Sequence, residues 1–124
     1  MLAEPIRVLV VDDHESYRHA VAAIVAETDG FAVVGAAASG EESLEAAART
    51  TADLVLMDVH LPGITGIEAA RMLTADPAAP VVVLLSTYDE GELDYRDCGA
   101  AAYLNKAVFS PDLLRSAWAA ALRR

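Results

Sequence analysis

Residues 7–16 read RVLVVDDHES: four apolar residues run straight into two adjacent carboxylates, Asp12 and Asp13, and then into a stretch of helical character. Val8 to Val11 show no alternation of apolar and polar positions. That is how a strand reads when helices cover both faces of a parallel sheet. The signature, which begins at Ile6, recurs at Leu54 to Met57 and Val81 to Leu85, with weaker strands expected at Phe31 to Ala36 and Ala100 to Leu104.

Helical patterns lie between these runs. Tyr17, Val21, Ile24 and Val25 recur at the spacing of one buried helix face, as do Leu114, Trp118, Ala121 and Leu122. Ser39 and Glu42 have capping-box spacing, and Ser110 precedes Pro111 as an N-cap before a proline at the first helical position. Gly30 stands where the first helix is expected to stop. The stretch YDEGELDYRDCG, residues 88–99, carries Gly91 and few apolar repeats, so a fourth helix there is expected to be short or irregular. Five strands alternating with five helices predict a doubly wound α/β domain, because parallel strands need crossover connections and those are right-handed. The compact arrangement of this size is a five-stranded parallel sheet of order 2-1-3-4-5.

Composition agrees with one domain over residues 1–124, long enough to bury a core. The chain is 55% hydrophobic, but 26 of those residues are alanine, so Leu, Val, Ile and Met are expected to carry the burial. A formal charge of −10 and a pI near 4.5 exclude binding to nucleic acid or an anionic membrane by these residues alone. The single cysteine, Cys98, has no partner for an internal disulfide and reads as a packing residue in a reducing compartment. No leader peptide is apparent, and no run approaches the ~18 apolar residues of a membrane span, so a cytoplasmic location is expected.

In such folds, ligands bind outside the carboxyl ends of the strands, where the strand order switches. The first strand ends in Asp12 and Asp13, the third in Asp58, and the fourth in Ser86 and Thr87, while the fifth leads to Lys106. These strands are neighbours in the expected order, so three carboxylates, a hydroxyl and an ammonium converge on one rim. Two carboxylates 4 Å apart repel by roughly 4 kcal/mol at moderate effective dielectric, so a cation is needed. Oxygen ligands without thiolates point to a hard cation, Mg²⁺, and the rim suits a phosphoryl group. Taken singly, each residue has a plainer reading. Asp12 and Asp13 could be turn or cap residues, with Asp13 or Ser16 capping the following helix, Asp58 could open the turn completed by Pro62, Gly63 and Gly66, and Lys106 could be a solvated loop lysine.

The segments VLVVDDHES (8–16), DLVLMDVHLPGITGIEAARML (53–73), VVVLLST (81–87) and AAYLNK (101–106) resemble, in order and over essentially the whole chain, the receiver domain of two-component response regulators. The likeness is to the NarL/LuxR-type branch, whose members join this flavodoxin-like receiver fold to a helix-turn-helix output domain. The resemblance implies that Asp58 is the phosphoacceptor and that Asp13, Asp58 and the backbone carbonyl of His60 ligate Mg²⁺. Asp12 would support the metal through water. It further implies Ser86 as switch hydroxyl, Tyr103 as switch aromatic and Lys106 as the phosphate-binding lysine, acting as a point charge. His14 then reads as an exposed rim residue, and His19 as lying on the solvated side of the first helix.

The resemblance makes the chain a signalling domain that takes a phosphoryl group from a sensor histidine kinase and catalyses its own phosphorylation and dephosphorylation. It is not a conventional enzyme. DNA would be reached only through an output domain absent from these residues, with homodimerisation as one route of activation. Three alternatives remain: a single-domain receiver acting on a protein partner, a Mg²⁺-dependent phosphatase, and a binding module that no longer accepts phosphate.

Overall fold

The computed structural model describes residues 4–87 and 97–123. Its elements are β1 (Ile6–Val11), α1 (Glu15–Ala26), β2 (Phe31–Ala37), α2 (Gly40–Thr50), β3 (Leu54–Asp58), α3 (Gly66–Leu73), β4 (Val81–Ser86), β5 (Ala102–Asn105), a 3₁₀ turn (Lys106–Val108) and α4 (Pro111–Leu122). All five strands pair in parallel in the order β2-β1-β3-β4-β5, as the sequence predicts. The last strand opens at Ala102, two residues later than expected. The expected fourth helix falls on 88–99, of which residues 88–96 lie outside the described residues, so α4 is the helix the sequence predicts as the fifth.

Successive residues of each central strand serve opposite faces of the sheet. On one face Leu9, Val11, Val55, Met57, Val82 and Leu84 pack against Ala46 and Ala47 of α2 and Ala69 and Ala70 of α3. On the other, Val8, Val10, Leu54, Leu56, Val83 and Leu85 meet Val21 and Val25 of α1 and Leu114 and Ala117 of α4. Both sets are apolar, which is why the strands read without a period of two. Burying one such leucine or valine contributes about 1.5–3 kcal/mol. Alanine matters more than its small side chain suggests, because four buried alanines let α2 and α3 lie close against the sheet.

Two helix faces depart from expectation. Tyr17 is 41% exposed and Leu122 64% exposed. Each sits at the end of its helix nearest solvent, so the apolar spacing continues beyond the sheet that would cover it. Ala117, not Leu122, completes the buried face of α4.

The helix ends explain how the strands are fed. Ser39 accepts the Glu42 backbone N–H, but the Glu42 carboxylate takes the Ser39 hydroxyl instead of its N–H, so the box is only half made. A complete capping box occurs instead at Thr65 and Glu68, ahead of α3. Ser110 caps α4, with Pro111 in its first turn. α1 stops at Ala26, with Glu27 as its C-cap, while Gly30 (φ +89°) turns the chain into β2 and offers its carbonyl to Ile6.

Candidate phosphoryl and metal site

The carboxyl ends of β1, β3, β4 and β5 meet at one edge of the sheet. Asp12 follows β1 directly, its backbone N–H bonded to Ala37, and its side chain is 3% exposed. Its Oδ1 accepts the His14 backbone N–H at 2.9 Å, which turns the chain into α1. Asp58 is the last residue of β3, buried between β1 and β4. Asp13 stands further out and is exposed. One ligand atom each from Asp12, Asp13, His14 and Asp58 lies within 4.8 Å of the others.

The charge that offsets these carboxylates is Lys106. Its side chain is only 7% exposed, and Nζ lies 2.6 Å from Asp12 Oδ2 and 3.4 Å from Asp58 Oδ1. Asn105, the last residue of β5, aims this lysine by accepting the Ala107 N–H across the 3₁₀ turn. Lys106 is therefore no solvated loop residue, and it has a structural role in the resting site beside any toward phosphate. Tyr17, in the first turn of α1, places its ring under the ammonium, 4.2 Å from Nζ to centroid. The Asp58 carboxyl is pushed above the ordinary carboxylate range, first by burial. Lys106 opposes that shift, Asp12 adds to it, and the His60 backbone N–H opposes it in turn, donating to Asp58 Oδ1 at 3.4 Å.

Behind Asp58 the backbone is closely buttressed. Gly66 opens α3 with its N–H bonded to Val59, and a Cβ there would stand 2.0 Å from the Asp58 carbonyl oxygen. Only glycine lets α3 begin so near the end of β3. In front, His14, Tyr17, Asp58, His60, Thr87 and Lys106 line a cleft of about 340 Å³.

The expected residues are thus brought together, with differences in rank. Asp12, Asp13, Asp58 and Lys106 form one cluster. Ser86 is fully buried at the end of β4, paired in register with Asn105. Tyr103 is also buried, packed in the cluster that includes Leu84 and Cys98. Neither Asp13 nor Ser16 caps α1; His14 holds that position without a side-chain bond. His14 Nδ1 lies 3.2 Å from Asp13 Oδ1, and the exposed His19 faces Glu15 instead. The sequence reading missed Tyr17 as a wall of the site. Its position, one helical turn beyond Asp13, was a usable signal.

A buried aspartate at the end of a central parallel strand, flanked by two acidic neighbours and a lysine just beyond the edge strand, defines a class of signalling domain. Residues 8–118 match the response regulator receiver domain family, and the chain belongs to it. It is 42% identical over 113 residues to response regulator GacA of Pseudomonas viridiflava, covering 90% of this chain and 53% of that protein. Against response regulator UvrY of Escherichia coli K12 it is 38% identical over 105 residues, covering 83% of this chain and 48% of that protein. The chain therefore spans about half the length of the curated relatives it matches. Among solved structures, the signal receiver domain of the NarL response regulator of Mycobacterium tuberculosis superposes with a TM-score of 0.88 at 29% identity, covering 98% of this chain and all of that one. No helix among the described residues is long and apolar enough to cross a membrane.

Proposed function

We propose that Asp58 is the phosphoacceptor of this receiver domain, taking a phosphoryl group from a phosphohistidine on a sensor histidine kinase. The observation that carries this is the buried Asp58 carboxylate, facing the cleft with Lys106 Nζ 3.4 Å away and Asp12 and Asp13 beside it. An Asp58 oxygen attacks phosphorus, the P–N bond to the donor imidazole breaks, and the leaving nitrogen takes a proton. With acetyl phosphate the P–O bond breaks and acetate leaves. Lys106 meets the charge on the transferring oxygens without having to reorganise, since it already stands between Asp12 and Asp58.

The donor set fits Mg²⁺: hard carboxylate oxygens of Asp12, Asp13 and Asp58 within 4.8 Å of one another, with no thiolate among them. Asp13, Asp58 and the His60 carbonyl would hold the ion, with Asp12 reaching it through water. When bound, it supplies further charge neutralisation at the phosphoryl oxygens. The same residues support hydrolysis of the acyl phosphate, so the domain catalyses its own phosphorylation and dephosphorylation. Ser86, buried at the end of β4, and Tyr103, buried within β5 opposite Leu84, are the proposed switch pair that carries the change to the β4–β5 side.

Output through transcription is the proposed role of the whole protein. It is supported by relatives about twice as long and by the 30% identity to a LuxR-family two-component response regulator from Aurantimonas, matched over 98% of this chain. A helix-turn-helix domain beyond residues 1–124 would supply the positive charge these residues lack, with receiver dimerisation as the coupling step. In the cytoplasm such a protein meets both kinase and DNA.

The test is intact mass after incubation with acetyl phosphate and Mg²⁺. One phosphoryl group per chain in the wild type and none in Asp58→Asn is the expected result. Full labelling of Asp58→Asn would refute the assignment, and rapid turnover of phosphate monoesters with no labelled chain would favour a phosphatase.

A further inference from the structure

We infer that Tyr17 is a positioning residue for Lys106: its ring face holds the ammonium over the Asp58 carboxylate and keeps solvent from it. Lys106 borders an open cleft, yet its side chain is only 7% exposed, whereas Tyr17 is 41% exposed. The aromatic ring stands between the lysine and water. The negative face of the ring attracts the cation with Nζ 4.2 Å from the centroid, inside the range where such contacts count. Tyr17 is itself fixed. His14 packs against it edge to face, with centroids 5.8 Å apart, and Arg18 Nη1 donates to the Asp12 carbonyl at 2.8 Å, tying the first turn of α1 to the end of β1.

A ring face suits this task better than another acceptor would. A third carboxylate or carbonyl would compete with the phosphoryl oxygens for the ammonium protons. The ring attracts the charge without taking a lone-pair position, so Nζ can trade Asp12 for a phosphoryl oxygen while staying over the ring. The inference rests on Asp58 being the phosphoacceptor, so its test includes a readout that does not depend on phosphorylation. In the wild-type chain, NMR of lysine side chains should find the Lys106 Cε and Nζ protons shifted upfield by the ring. Tyr17→Phe should retain the shift and Tyr17→Leu should lose it. With phosphoramidate as donor, where the P–N bond breaks and ammonia leaves, Tyr17→Leu should label Asp58 about tenfold more slowly, and Tyr17→Phe within about twofold of wild type. Unshifted Lys106 protons in the wild type overturn the inference. So does wild-type labelling speed in Tyr17→Leu, or a Tyr17→Phe as slow as Tyr17→Leu. A wild-type chain that accepts no phosphoryl group overturns the phosphoacceptor reading, and this one with it, even where the ring shift is present.

Discussion

Lys106→Ala is expected to destabilise the domain even though the role proposed for the residue is toward phosphate. The substitution removes the 2.6 Å partner of Asp12 and the 3.4 Å neighbour of Asp58, leaving two buried carboxylates side by side without the ammonium that stood between them. Breaking a buried pair from one side costs 3–5 kcal/mol in general, and water entering the adjoining cleft holds this case near the lower end, about 3 kcal/mol. For a domain of this size that lowers Tm by about 10 °C. The assay is thermal unfolding without divalent ions, comparing wild type, Lys106→Ala, Asp12→Asn and the double variant. Because the loss comes from an uncompensated charge, Asp12→Asn placed on Lys106→Ala should recover more than half of it. A Lys106→Ala variant melting within about 2 °C of wild type would refute the reasoning and return Lys106 to the status of a solvated lysine.

Three further outcomes are expected. Because burial raises the Asp58 pKa, the folded chain holds that proton more tightly than the unfolded chain, and stability falls as pH rises from the ordinary carboxylate range through the folded value. Asp58→Asn should therefore raise Tm at neutral pH and by less near about pH 4, read from paired melting curves. Mg²⁺ at ten times its Kd should stabilise the wild type by about 1.4 kcal/mol, and Asp13→Asn should blunt that response more than it alters the metal-free Tm. Gly66→Ala should cost about 3 kcal/mol and slow Asp58 labelling, since its Cβ would collide with the Asp58 carbonyl; unchanged melting would show that α3 yields at no cost.

The order of the sheet and the residues at its rim could be read in the sequence because each strand carries its own signal. A strand buried on both faces is apolar throughout, and Asp12, Asp13, Asp58 and Ser86 stand where those apolar runs end. Ser110 with Pro111 announced α4 for the same local reason. What was hidden depends on where segments meet. Tyr17 has the spacing of a core residue, and only the end of the sheet beneath it decides that it faces the site. Thr65 and Glu68 carry capping-box spacing, but Pro62 and Gly63 just before them read as a turn, and the helix start was not recognised. The contact of Lys106 with Asp12 needs the edge strand placed and the 3₁₀ turn formed, neither of which a local pattern specifies.

That contact joins residues 94 positions apart, from the first strand to beyond the last. Closing so long a loop is entropically costly until the intervening strands have docked, so the pair belongs to the latest steps of folding and is absent from the early nucleus. A chain that has formed only β1 to β4 carries the acidic cluster without its countercharge, and lacks the lysine that the proposed phosphoryl transfer uses. The finished site is thus a report that the whole sheet is in place, and stability lost at Lys106 should emerge as faster unfolding with a folding rate close to that of the wild type.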